Sequence, residues 1–392
     1  KDVDMNLKAI LPLILVTLFS SCARQVRETP EPDPDVRATA EDNPFFQEWN
    51  TPFGVPPFSK IENRHYLPAF ERAIELHRGE IDAIASGKDA TSFANTIEAL
   101  DRAGTELHRV SRVFFGLLNA RTDDELNGIA KKVSPMLAKH RDGILLDEKL
   151  FARIQAVHEQ KDDLELSVEQ RTLLEEYHQD FVRGGANLDG KAKAELRSIN
   201  EKLSLLTLQF GQNILEENNR FVMVIEKKKD LAGLPDRVVA AAAEAARERG
   251  HQGKWVFTLH KPSLIPFLQY SEKRELRRKM IEGYIRRGAH GDELDNRGII
   301  EKIIRLRTRK AELLGYETYA DFALARRVAG TPARVYELLR KLWKPALGVA
   351  KRELDQLQKL VDEDGGDFEI EPWDWWYYAE KLRKQKYDLD EN

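Results

Sequence analysis

The sequence predicts a mainly α fold: a large body of long amphipathic helices with a small β element near residues 221–259. Three observations carry that expectation. Apolar residues recur at spacings of three and four through most of 92–120, from Asp189 for roughly thirty residues, and through 295–328, the period of a helix with one buried face. Two short β-branched and aromatic runs, Phe221–Ile225 and Trp255–Leu259, stand on either side of an alanine-rich stretch, Asp236–Arg249, and suggest a small sheet packed on helices. With 392 residues and 42% hydrophobic content the chain can bury a sizeable core, as two domains or one large helical body.

The start of the chain has a different character. Asn6 and Lys8 precede an apolar run, Ala9–Phe19, interrupted only by Pro12 and Thr17, and Ser20-Ser21-Cys22 follows. That is the order of a bacterial secretory signal over residues 1–22, with Met5 as the natural start. The run is too short to serve comfortably as a permanent membrane span. Cys22 is the single cysteine, so no intramolecular disulfide can form. Leu18-Phe19-Ser20-Ser21-Cys22 resembles the lipobox of bacterial lipoproteins, which implies lipidation at Cys22, a membrane contact through that anchor, and a place in the cell envelope, periplasm-facing or periplasmic. An ordinary signal peptide cut near a cysteine is the alternative. Residues 23–43 form an acidic linker in which Pro30, Pro32 and Pro34 favour extended backbone and like charges oppose collapse.

Residues 44–392 read as the folded part. Phe45, Phe46, Trp49, Phe53 and Phe58, crowded among prolines, predict an irregular segment that buries aromatics. Ile61–Phe70 leads into a helix reaching about His77. His65 has no partner at metal-ligand spacing and reads as a hydrogen-bonded structural histidine. The helix over 92–120 is weakened at Gly104. The next, Asp123–His140, has Thr122 or Asp123 as its N-cap and a kink expected at Pro135. Ser167 and Gln170 form a capping box for a helix through Phe181 that Gly184-Gly185 ends. Asp189 opens what reads as the longest helix, with Leu196, Ile199, Leu203, Leu206 and Phe210 on a core face. His251 and His260 read as loop or surface residues, Pro262–Tyr270 as loop and short helix, and Glu272–Arg286 as a charged amphipathic helix.

Asp295–Val328 is the segment around which the rest is expected to gather. Ile300, Ile303, Ala311 and Leu314 share one helical side and predict a core contact. Arg307 falls on that stripe, so a carboxylate or carbonyl partner is expected for it. Gly315 stops the helix, and Tyr316, Tyr319 and Phe322 open a second one. A helix from Thr331 and Pro332 towards Val361 follows, ended by Gly365-Gly366. The last element carries Trp373, Trp375, Trp376, Tyr377 and Tyr378. Five large aromatics in six positions cannot share one helical face and need neighbours on several sides, so the chain reads as the front part of something larger.

The 62 basic and 66 acidic residues leave a net charge of −4, which gives no electrostatic reason for a nucleic-acid partner. A monomer is expected. Phosphate-binding glycine loops, dinucleotide fingerprints and serine-nucleophile elbows are absent from the sequence. None of the nine histidines lies four residues from another, so the zinc-binding His-Glu-x-x-His helix is absent too. No catalytic or metal-ligating residue is assigned.

Several segments nevertheless resemble the thimet oligopeptidase family of zinc metallopeptidases, and within it bacterial peptidyl-dipeptidases. They are Asn43-Pro44-Phe45-Phe46, His65–Phe70, Phe210-Gly211-Gln212-Asn213 with Asn218, Asn296–Tyr319 with Arg307, Ala311 and Leu314-Gly315-Tyr316, and Pro372-Trp373-Asp374 with Tyr377-Tyr378. The resemblance implies an almost wholly helical, two-lobed fold with a deep channel, a zinc ion as cofactor and short peptides as substrates. It also implies that the zinc ligands, the general base and the substrate-orienting tyrosines lie downstream of the Pro-Trp-Asp segment, outside these residues. The competing expectation is a surface-anchored helical binding protein without catalysis.

Overall fold

A computed structural model describes residues 42–387; Met5, the lipobox ending at Cys22 and the linker up to residue 41 lie outside the described residues. Among the described residues no helix is long and apolar enough to cross a membrane. The fold is mainly α, with a two-stranded sheet as its β element.

The body begins at Asn43, which is buried and fastens the entering strand. Its Nδ2 donates to the His65 carbonyl at 3.0 Å, and its Oδ1 accepts from the Phe45 amide at 3.1 Å. Phe45 packs on Tyr66 at the start of α1 (Tyr66–Ala85). The irregular aromatic segment is buried only in its first half. Phe53, at a positive φ of 59°, and Phe58 are exposed.

Residues 92–120 do not form one helix. A π-type turn over Ala94–Glu98 leads into α2 (Ala99–Arg102), and α3 (Thr105–Ala120) starts afresh after Gly104. Gly104 has φ +77°, and a Cβ there would lie 2.8 Å from the His77 ring. The glycine is therefore a break required by close packing, beyond the weak point the spacing suggested. By contrast α4 (Asp124–Leu145), capped by Asp123 accepting from Leu126 N at 2.7 Å, runs on through Pro135 as one helix. Tyr66, Phe70, Phe114 and Val133 make the first core, with Phe70 and Phe114 edge to face at 5.4 Å.

A second core of Ile97, Leu150, Ile154, Leu174 and Phe181 joins α5 (Glu148–Glu159) to α6 (Val168–Gly184). The Ser167–Gln170 capping box is present, and Gly185 at φ +99° ends α6. Next come α7 (Gly190–Arg220, 31 residues), β1 (Met223–Ile225), α8 (Asp236–Glu248) and β2 (Trp255–Phe257). The strands pair antiparallel, Met223 opposite Phe257. Residues 261–270 are helical throughout as α9 (Lys261–Tyr270), and α10 (Arg274–Ile285) follows. Met223, Phe257, Phe267 and Met280 form the third core.

The remaining elements are α11 (Arg297–Leu313), α12 (Tyr319–Leu324), α13 (Pro332–Glu363) and α14 (Pro372–Tyr387). With 32 residues α13 exceeds α7 by one and is the longest helix described. The α11 stripe is less buried than its spacing implies: Ala311 is fully enclosed against the α7 side, while Ile300 is 43% exposed. Arg307 meets the Tyr319 ring at 5.2 Å, so an aromatic face stands where a carboxylate or carbonyl was expected. The aromatic corner itself is clamped from α6, where Arg183 donates to Tyr316 Oη at 2.8 Å and to the Phe322 carbonyl at 2.7 Å.

Candidate functional site

Two of the segments that carried the family resemblance, Phe210–Asn213 with Asn218 and Pro372–Asp374, fall into built structures, and an open face lies beside the second. The first structure is a polar lattice at the far end of α7. Leu196 and Ile199 bury the near end of that helix as expected, but its deepest far-end residues are Asn213 and Glu217. Asn213 accepts from Gln209 at 2.6 Å and donates to Asn296 Oδ1 at 3.0 Å, while Asn296 Nδ2 donates to the Phe210 carbonyl at 3.1 Å. Glu217 accepts from the Gly288 amide and pairs with His290 at 2.7 Å. Asn218 accepts from Arg287 at 2.9 Å, and Gln212 donates to Asn127 at 3.2 Å. Buried polar groups require such partners, and here they lock α7 to the α10–α11 connection.

The second structure is centred on Asp374, which is completely buried in the first turn of α14. Two arginines one turn apart on α10 enclose its carboxylate. Arg277 Nη2 donates to Oδ1 at 2.7 Å, Arg274 Nη2 and Nε donate to Oδ2 at 2.8 and 3.0 Å, and the Glu371 amide adds a bond at 3.2 Å. Arg277 also donates to the Trp373 and Ser271 carbonyls at 3.1 and 2.8 Å. Rings cover the flat faces of the guanidinium groups: Phe368 lies 4.1 Å from Arg274 and Tyr377 lies 4.3 Å from Arg277. The sequence pattern of 272–286, a charged amphipathic helix, contained both arginines but gave no sign that an aspartate about 100 residues later would be their partner.

The open face lies next to this clamp. Three of the five terminal aromatics find neighbours within the chain: Trp373 packs against the third core, and Tyr377 and Tyr378 pack with Leu357 and Val361 of α13. Trp375 and Trp376 remain 36% and 41% exposed. Along the first half of α13, Tyr336, Leu339, Trp343 and Leu347 recur at helical spacing and all are exposed, Trp343 at 68%. Sequence reasoning identified the aromatics of α14 but not this stripe, although its three-and-four spacing was there to be read.

The Peptidase family M3 model matches residues 267–392, a stretch that runs from within α9 through α14 and includes the Asp374 clamp and the open face. Dipeptidyl carboxypeptidase of Escherichia coli (strain K12) is 38% identical over 349 residues, 89% of this chain and 51% of that protein. Residues 267–392 belong to peptidase family M3. The family's dipeptidyl carboxypeptidase from Salmonella typhimurium is 34% identical over the same shares, and oligopeptidase A of Haemophilus influenzae is 29% identical over 86% of this chain and 50% of its own length. The chain thus spans about half the length of the curated M3 relatives it matches.

M3 peptidases are zinc metalloenzymes generally, and the residues described here do not fit that ion. Among the described residues no three His, Cys, Asp or Glu side chains come together as a ligand set. His65, the one histidine weighed as a ligand in the aromatic entry segment, accepts from the Glu62 amide through Nδ1 at 2.9 Å, and burial lowers its pKa. His251 lies in the turn after α8, and His260 is the exposed N-cap of α9, its Nδ1 3.1 Å from Thr258 Oγ1.

Proposed function

We propose that this chain is the N-terminal part of a zinc peptidase that cleaves short oligopeptides and releases dipeptides from their C-termini. The observation that carries this reading is the 38% identity to a dipeptidyl carboxypeptidase across 89% of the chain. The zinc ligands and the general base would come from the half of the relatives that these residues do not span, a reading supported by the lack of a ligand set among the described residues. The helices described here would then form one wall of a two-lobed body whose channel admits unfolded peptides and excludes folded ones. The uncovered stripe of α13 and the exposed Trp375 and Trp376 would be the face on which the catalytic half packs.

The test uses the polypeptide extended to the full length of the relatives. It is expected to release dipeptides from blocked tetrapeptides and to lose that activity on chelation, while residues 1–392 alone show none and hold no stoichiometric zinc. Activity that survives chelation, or stoichiometric zinc in the 392-residue chain, would overturn the assignment.

A further inference from the structure

A cleft of about 850 Å³ lies between α4, α6, α7 and the α11–α12 corner, away from the Asp374 clamp and the α13 face. Its lining is rich in cations: Arg141, Arg183, Lys310, Arg326 and Arg327 face Asp142 and Asp180. Three of these cations already have structural partners. Arg183 holds the aromatic corner, and Arg326 pairs with Asp180 and Glu176. Lys310 donates to Asn200 Oδ1 at 2.7 Å, and Asn200 Nδ2 donates to Asp142 Oδ1 at 2.7 Å, so a neutral amide separates a half-buried cation from a buried carboxylate. Burial lowers the Lys310 pKa and raises that of Asp142, which marks both charges as short of solvation.

Arg141 and Arg327 differ from the other three. Both side chains are exposed on the cleft, and neither guanidinium makes a hydrogen bond or ion pair among the described residues. A guanidinium presents a planar fork that matches a carboxylate in two-point contact. The walls between them carry the hydroxyls of Ser134, Ser204 and Thr207 beside Leu203 and Leu208, a mixture suited to an extended chain more than to a single small ion.

We propose that this cleft binds the carboxylates of an acidic peptide segment, with Arg141 and Arg327 as the anion-binding groups. Choosing a peptide as the ligand rests on the peptidase reading; choosing an anion rests on the lining alone. Such binding would favour substrates with Asp or Glu at positions away from the cleaved bond.

Fluorescence anisotropy of a dye-labelled, glutamate-rich octapeptide and its glutamine counterpart on the 392-residue chain tests the proposal. The glutamate peptide is expected to bind, more weakly as salt rises, and the glutamine peptide is not. Arg141→Gln with Arg327→Gln should weaken binding about tenfold, while Arg237→Gln, an exposed site elsewhere, leaves it unchanged. Circular dichroism checks that each variant melts like the parent. Equal binding of the two peptides, or undiminished binding by the double variant, would overturn the proposal. So would saturation by inorganic phosphate with no preference for the glutamate peptide. Hydrolysis by the extended enzyme is measured separately: lost binding with intact hydrolysis rejects the cleft alone, and intact binding without hydrolysis rejects the peptidase reading alone.

Discussion

Asp374 shows how much one side chain can hold. It is wholly enclosed, Arg277 is nearly so, and Arg274 is 29% exposed, so removal of the carboxylate leaves guanidinium charge in a poorly hydrated place. Asp374→Ala is expected to cost about 3–5 kcal/mol, read as a shift in the denaturant midpoint. His77 and His140 offer a second test. Their ring nitrogens lie 3.0 Å apart between α1 and α4, and burial lowers both pKa values, that of His140 from 6.5 to about 4. The unfolded chain therefore takes up these protons before the folded one does. Stability from the neutral pair is complete above about pH 6.5 and is lost as pH falls through the folded value near 4. Denaturant midpoints at about pH 7.5 and about pH 5 should differ more for the parent than for His140→Gln. At this scale the sequence was legible where the cause is local: Asp123, Ser167 and Asp189 all cap the helices they precede. The partners of Arg307 and Asp374 were not legible, because each is set by which helices meet in space.

Among the elements, helix existence followed from periodicity and helix interruption did not. Gly104 breaks its helix because His77 of α1 occupies the space a side chain would need, a tertiary fact that spacing within 92–120 cannot contain. Pro135 lies inside α4, which continues to Leu145 as one helix. The polar far end of α7 was hidden by the apolar repeat of its near end, and only the resemblance singled out Phe210–Asn213. In α13 the apolar repeat is real, yet most of it meets no partner: Leu357 and Val361 are covered, and Tyr336 to Leu347 are not. Exchanging Leu339 and Trp343 for glutamate should therefore change the stability of the 392-residue chain by no more than about 0.5 kcal/mol while reducing its binding of a hydrophobic dye.

For the whole molecule, the same two substitutions should have a second effect. In the extended peptidase they would place charge inside the joint between halves, so the activity expected there should fall although the chain alone is unharmed. The mainly α class and the family were legible in the sequence, since each rests on patterns many residues long, and the small sheet was legible from the composition of two short runs. The Arg141–Arg327 cleft was not, since its lining comes from α4, α6, α7 and the α11–α12 corner and no local pattern joins them.

The interior is divided into separate apolar clusters strung along the chain, and the last of them, formed by Leu357, Val361 and Tyr378, is small. The N-terminal half of α13 meets none of these clusters, so its free energy of local opening lies well below that of the bundle around Phe70 and Phe114. Trp343 sits on that half and is already exposed, while Trp49 packs against the first core and Trp255 and Trp373 against the third, so a change in the intrinsic emission of this protein reports the melting of its body and not the fraying of α13.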